Sequence, residues 1–336
     1  MIIQLKNNID AEQKKAIINK VNSFNYEANE VLTQKGTYLI GIGSKEFDIR
    51  QIGNLSGIAD IHIVSDSYKL VSRKWKVVPS AVDLGDGIAI GDGSLAIMAG
   101  PCSIEGEEQI LETIGHLKAN GIKMMRGGVY KPRSSPYAFR GMGIEGLQLW
   151  YKHAKAAGMK IVTEVMQVSQ IEPMLEYTDV FQVGARNTQN FNLLDALGQI
   201  DKAVMIKRGI SGTIDELLYS AEYVFSGGNE KLILCERGIR TYETASRNTL
   251  DLNAIPILKE KTHLPVVSDP SHGIGIRRHV EPLALASIMA GADGIIYETH
   301  SNPYKAFSDG QQTLDFRESE QMIRKMRATF ELLKSF

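Results

Sequence analysis

Cys102, His272, Glu298 and Asp309 supply a thiol, an imidazole and two carboxylates; the first two come shortly after apolar runs, Glu298 closes one, and Asp309 lies in the loop beyond it. Taken singly they are ordinary, since a cysteine is most often a small buried hydrophobe, as Cys235 within KLILCE is expected to be. Together they form a mixed S, N, O, O donor set. Such a set suits a divalent metal ion of the transition series (Mn, Fe, Co or Zn) and not Mg or Ca, which prefer all-oxygen shells. Structural zinc more often uses several thiolates, so the donor types point to a catalytic ion. The stretch DPSHGIGIR, Asp269 to Arg277, sets an acid three residues before the imidazole, and Gly273 and Gly275 are expected to let backbone approach a ligand closely.

A second group is cationic: Arg126, Lys131, Arg133, Arg186, Lys207, Arg208 and Arg237 also stand just after apolar runs. Any one of them is ordinarily a solvated surface charge. A ring of them on one face is different, because like charges a few ångströms apart cost on the order of 4 kcal/mol per close pair at an effective dielectric near 20. Such a ring needs an anion. Arginine offers planar forks and lysine a mobile point charge, so the expected ligand is a small substrate with several negative charges, more than one phosphate among them.

These side chains need a scaffold that brings run ends together. The runs are LAIMA, IKMMR, KIVTE, DVFQV, AVMIK, KLILCE, PVVSD and DGIIYE, alternating with helical patterns such as EEQILETIGHLKAN and TIDELLYSAEYVF. Alternation of this kind predicts a parallel sheet, and eight repeats favour a closed (β/α)8 TIM barrel over a doubly wound open sheet. In such a barrel the chemistry belongs at the C-terminal strand ends, and strands one, seven and eight become neighbours on closure. Before it, IIQL, AEQKKAIINKVNSF, YEANEVLT, TYLIGIG, DIRQIGNL and IADIHIV read as βαββαβ, a small ferredoxin-like α+β domain. The expected division is 1–66 for that domain, 67–83 for a linker and 84–336 for the barrel. GIAIGDGSLAIMAG reads as two short strands around a Gly-Asp-Gly turn.

The 336 residues suffice for a barrel plus a small unit. A formal net charge of -1 gives no overall pull toward nucleic acid or membrane, and no apolar run approaches the roughly 20 residues that span a bilayer. Two cysteines and a polar start, MIIQLKNNIDAEQKK, are read as a protein of the reducing cytoplasm.

AGPCSIE, MRGGVYKPRSSPYAFRGMG, QVGARNTQNF, KRG, CERGIRTYE, DPSHG and SDGQQTLDF, in that order, resemble the type I-beta group of 3-deoxy-D-arabino-heptulosonate 7-phosphate synthases over about Leu84 to Phe336. The preceding unit resembles the ferredoxin-like regulatory domain of some members. The resemblance implies condensation of phosphoenolpyruvate with erythrose 4-phosphate, the entry step of aromatic amino acid biosynthesis. It implies a phosphoenolpyruvate site of Arg126, Lys131, Glu164, Ala185, Arg186, Lys207 and Arg237. The aldose phosphate is then expected on Lys131, Pro132, Arg133 and Ser134 with Ser135 nearby, Ser134 standing where members often carry threonine. Cys102, His272, Glu298 and Asp309 match the family's metal ligands. Lys131, Glu164, Lys207 and His272 are the expected catalytic residues, with Glu164 and Lys207 the candidates for handling the protons of the attacking water and a metal-bound water the third. Feedback by tyrosine or phenylalanine and a homotetramer are implied too.

Three rivals are carried forward. A 3-deoxy-D-manno-octulosonate 8-phosphate synthase uses the same enol donor with a longer sugar, but typically shows K-A-N-R-S-S where this chain has KPRSS. A Schiff-base aldolase would use Lys207, its pKa lowered by Arg208. A catalytically silent phosphosugar sensor would keep the binding site and lose the ligand set.

Overall fold

The computed structural model describes residues 1–43, 47–131, 137 and 139–336. The amino-terminal unit runs β1 (Ile2–Leu5), α1 (Ala11–Ser23), β2 (Glu27–Leu32), β3 (Thr37–Ile42), α2 (Arg50–Gly53) and β4 (Ile58–His62). Its four strands form one antiparallel sheet in the order β2-β3-β1-β4. Strand alternation divides the side chains between two faces. Ile3, Leu5 and Leu39 pack with Ile17, Val21 and Ile52 of the helices. Ile2, Val31, Tyr38 and Ile40 on the other face join the apolar cluster that continues into the outer layer of the barrel. Polar contacts fix the join: Gln34 Oε1 accepts the Glu230 N–H at 2.9 Å, and the Thr33 hydroxyl donates to the Glu230 carboxylate.

The segment expected to link the units lies flat on the barrel. The Glu222 carboxylate accepts the backbone N–H groups of Lys69 and Leu70 at 2.9 Å and of Val71 at 3.0 Å. The Leu70 carbonyl accepts from Trp75 Nε1 and His263 Nε2, both at 2.8 Å, while His263 Nδ1 meets the Ser80 hydroxyl at 2.9 Å. Burial, reinforced by Lys76, pulls the pKa of His263 down to about 3 from 6.5. The unfolded chain therefore takes up a proton below pH 6.5 that the folded chain refuses until about pH 3. This contribution is intact above pH 6.5 and drains away as pH falls, by about 1.4 kcal/mol per pH unit. Urea unfolding is expected to show about 2 kcal/mol more loss between pH 7 and pH 5 in the intact chain than in His263→Gln. Identical pH dependence in the two would contradict this assignment.

Next come β5 (Val82–Asp83) and β6 (Ala89–Ile90), paired antiparallel. The strands expected around the Gly-Asp-Gly turn are β6 and β7 (Ala96–Gly100), but β6 pairs back onto β5 and β7 enters the barrel. The hairpin lays Val82, Ile88 and Ile90 across the amino-terminal end of the barrel interior, in one cluster with Met98 and Met205.

The remaining strands are β8 (Met124–Gly127), β9 (Lys160–Val165), β10 (Val180–Val183), β11 (Ala203–Lys207), β12 (Leu232–Glu236), β13 (Val266–Ser268) and β14 (Gly294–Glu298). With β7 they close a parallel eight-stranded barrel, and each of the eight apolar runs supplies one strand. Runs without alternation are what strands buried on both faces require. Outside lie α3 (Glu107–Ala119), α4 (Gly143–Ala156), α5 (Ile171–Met174), α6 (Phe191–Gly198), α7 (Ile214–Ser226), α8 (Ala254–Lys261), α9 (Pro270–Ile274), α10 (Arg277–Met289) and α11 (Phe316–Lys334). Among the described residues no helix is long and apolar enough to cross a membrane.

Candidate active site

Strand parity decides which side chains reach the mouth. Met98, Met124, Val162, Val180, Met205, Cys235, Val267 and Ile296 pack together inside the barrel. Two residues on, the same side of each strand carries Gly100, Arg126, Glu164, Gln182, Lys207, Arg237, Asp269 and Glu298. The interior thus changes from apolar to polar within one step along seven of the eight strands, β7 presenting Gly100 there. One residue off this register, Arg208 turns outward, where Nη1 meets Glu236 at 2.9 Å and Asp251 at 2.8 Å. Arg208, expected in the cationic ring, therefore does not join it.

A cavity of about 200 Å³ opens at these strand ends, lined by Lys131, Arg186, Lys207, Arg237, Arg240 and Arg247 against the acids Glu164 and Asp309, with Gln182, Gly184, Ala185, Asn248 and His272 between them. Arg237 is buried and its Nη1 has no partner among the described residues. Desolvation pulls the pKa of Arg237 down, and only partly do Asp269 and Cys235 offset it. This donor is built to meet an anion. Glu164 reaches the cavity because residue 184 is glycine, where a Cβ would sit 2.0 Å from Glu164 Oε1. Pro132, Arg133, Ser134 and Ser135, expected on the aldose phosphate, lie outside the described residues.

Beside the cavity, ligand atoms of Cys102, Glu298 and Asp309 lie within 4.8 Å of one another. Cys102 Sγ is 3.4 Å from Asp309 Oδ2. His272 Nε2 faces the same group at 3.4 Å from Glu298 Oε1 and 4.0 Å from Asp309 Oδ2. Asp269 sets this up. Its Oδ2 takes His272 Nδ1 at 2.7 Å and Lys207 Nζ at 2.5 Å, and its Oδ1 caps α9 through the His272 N–H at 3.0 Å. With the proton on Nδ1, Nε2 presents a lone pair to two carboxylates. Acceptors facing acceptors in a buried site call for a cation, so the donor set fits a divalent transition ion. Burial, reinforced by Glu298, pushes the Cys102 thiol up to about 11. Lys131 Nζ donates to Cys102 Sγ and to the Cys102 carbonyl, both at 3.0 Å. Burial works to lower Lys131, but Cys102 and Glu164 outweigh it and hold the ammonium above its usual range.

Arg126 stands behind the group, with Nη1 3.2 Å from Glu298 Oε1 and 2.8 Å from the Pro101 carbonyl. The DPSHGIGIR stretch is a short helix rather than an open turn. Gly275, with φ of 68°, ends it in the left-handed region, and a Cβ there would meet the Arg247 side chain at 2.5 Å. These glycines serve backbone packing: a Cβ on Gly273 would strike Leu250 at 2.7 Å. Arg277 turns away to Asp315 and Glu318 at the start of α11.

Residues 70–335 match the sequence profile of the DAHP synthetase I family. The chain belongs to the DAHP synthetase I family. It is 43% identical over 328 residues, 97% of each chain, to the phospho-2-dehydro-3-deoxyheptonate aldolase of Thermotoga maritima. A crystal structure of that DAHP synthase superposes with a TM-score of 0.79 at 42% identity, covering 99% of this chain and 97% of the other. A truncated form of the Thermotoga maritima synthase matches 80% of this chain and 98% of its own length at 46% identity, TM-score 0.75. The 2-dehydro-3-deoxyphosphooctonate aldolase of Geobacter sulfurreducens is 30% identical over 73% of this chain and 95% of its own.

Several contributors to this DAHP synthetase site were not singled out from sequence. Arg240, Arg247 and Asn248 come from the long connection after β12, which has no periodicity to mark it. Gln312 joins Arg247 Nη1, at 3.0 Å, to Glu298 Oε2, at 2.8 Å. The signal that could have found Arg237 over Arg208 is parity counted from the apolar run.

Proposed function

We propose that the chain is a 3-deoxy-7-phosphoheptulonate synthase that condenses phosphoenolpyruvate with erythrose 4-phosphate. The observation that carries the reading is adjacency: Lys131 Nζ, at the edge of the cationic cavity, lies 3.0 Å from the thiol of the metal-type donor group. Two phosphates and a carboxylate are matched in one pocket to one divalent ion.

Carbon C3 of the enol attacks the aldehyde carbon, water adds at C2, and phosphate leaves by cleavage of its C–O bond. Arg186, Lys207 and Arg237 hold the phosphate and carboxylate of phosphoenolpyruvate with Ala185 beside them, and Arg126 acts through Glu298. Lys131 sits where both substrates meet, and with Pro132, Arg133, Ser134 and Ser135 takes the aldose phosphate. Fixed cations stabilise the charge that develops and orient both anions. Lys207, paired with Asp269 at 2.5 Å, is held as an ammonium, a proton donor rather than an imine-forming amine. Glu164 has no cationic ion-pair partner among the described residues, so it is the carboxylate placed to take a proton from the attacking water. Cys102, His272, Glu298 and Asp309 would hold Mn, Fe, Co or Zn, which supplies polarisation or orientation of the aldehyde.

Release of inorganic phosphate from the two substrates, measured with and without thorough chelation, tests the reading. Activity that survives chelation defeats the metal, and turnover with a five-carbon but not a four-carbon phosphosugar favours the octulosonate chemistry. Borohydride with substrate is expected to trap no adduct at Lys207.

Residues 1–66 are, in this reading, a ferredoxin-like regulatory domain that responds to tyrosine or phenylalanine within a cytoplasmic homotetramer. Its element order and antiparallel sheet support that assignment. Deleting residues up to Asp66 is expected to leave an active enzyme that neither amino acid inhibits. Inhibition that persists in the truncated chain moves the effector site to the barrel.

A further inference from the structure

Cys102 and Glu298 take their places from barrel strands, but Asp309 comes from the long loop after β14. That loop is closed at its base by a bridge between Thr299 and Leu314. Asp309 itself has φ of 52°, in the left-handed region that aspartate enters more readily than most residues. Side chains from the Cys102 loop meet the tip of this loop just before Asp309.

We propose that Glu105 and His300, with Ser103 and Ser308, form a clamp that sets Asp309 over Cys102, so that Glu105 is a positioning residue for the metal group. The inference rests on the metal reading above. Glu105 Oε1 accepts the Phe307 N–H at 2.8 Å, two residues before Asp309. Its Oε2 lies 3.5 Å from His300 Nε2, and the side chains of Glu105 and His300 are only 9% and 8% exposed. His300 Nδ1 accepts the Asn302 N–H at 2.9 Å, which leaves the ring proton on the buried Nε2, an atom with no hydrogen-bond partner among the described residues and with Glu105 Oε2 3.5 Å away. The Ser103 and Ser308 hydroxyls bond to each other, one residue from each ligand. Gln109 braces the near side, accepting the Glu105 N–H at 3.0 Å and donating to the Ser103 carbonyl at 3.1 Å. None of the four clamp residues lines the cavity, so their removal acts on the ligands and not on substrate contacts.

Cobalt titration of the full chain tests this, reading the dissociation constant and the thiolate-to-metal charge-transfer absorption. Glu105→Ala is expected to weaken Co2+ binding about 10- to 100-fold, the usual effect of removing a partner that orients metal ligands, with the absorption recovered at saturation because Cys102 is untouched. Glu105→Gln keeps the acceptor for Phe307 and is expected to fall between. Ser308→Ala removes only a hydroxyl and is expected to weaken binding by a smaller factor, so it decides the matter if Glu105→Ala does not fold. Affinities within about two-fold of the intact chain in both alanine variants overturn the clamp alone. An intact chain that takes up no Co2+ overturns the metal reading and the clamp together.

Discussion

Exchanging Cys102 for alanine is expected to cut phosphate release about a thousand-fold, since an ion that stabilises developing charge supplies several kcal/mol and each 1.4 kcal/mol is a decade in rate. The same change is expected to remove a proton count. Burial and Glu298 keep the free thiol protonated, with its pKa pushed up to about 11. Binding of a divalent ion to sulfur at pH 7 must therefore expel about one proton, and affinity must fall as pH is lowered. Titration in weakly buffered solution reads that proton directly. Cys102→Ala should lose it along with the charge-transfer absorption of bound cobalt. Turnover within ten-fold of the intact chain, with proton release unchanged, would exclude Cys102 as a ligand.

How far this site could be read from sequence depends on what kind of signal each part leaves. The eight barrel strands were legible because burial on both faces erases alternation and leaves continuous apolar runs, from LAIMA to DGIIYE. Cys102, His272, Glu298 and Asp309 were legible because their donor chemistry is uncommon in combination, and three of them come together in the fold with His272 facing them. Lys207 and Arg208 show the limit. Both end the same run, yet only one shares the register of Met205, and charge alone does not distinguish them. Arg240 and Arg247 reach the cavity along an aperiodic connection whose path is set by contacts with distant residues such as Gln312. The polar stretch SDSYKLVSRKWK, residues 65–76, reads as a linker, and Tyr68, Leu70, Val71 and Trp75 within it are buried. Four apolar side chains among Ser, Asp, Lys and Arg leave the stretch polar on average, and are enough to fix the chain.

Replacing Asp269 by asparagine is the change expected to damage stability and activity together. The Asp269 carboxylate is fully buried and divides one oxygen between Lys207 and His272. Burial alone would raise its pKa, but His272 and Lys207 outweigh that and hold it well below the ordinary carboxylate range. An amide in its place carries no charge, and its NH2 faces a donor whichever way it turns: the His272 N–H on the Oδ1 side, or Lys207 Nζ and His272 Nδ1 on the Oδ2 side. Lys207, itself buried, is then an uncompensated ammonium, and breaking a buried pair from one side costs about 3–5 kcal/mol, against a total folding stability of about 5–15 kcal/mol. His272 also loses the partner that keeps its proton on Nδ1, and metal affinity is expected to fall about 10- to 100-fold. Adding Lys207→Met separates the two effects. The double variant no longer buries a lone charge, so it is expected to unfold at higher urea than Asp269→Asn alone while its metal affinity and turnover stay low. If Asp269→Asn unfolds no earlier than the intact chain, Lys207 is not held by this pair, and the argument that it stays an ammonium fails with it.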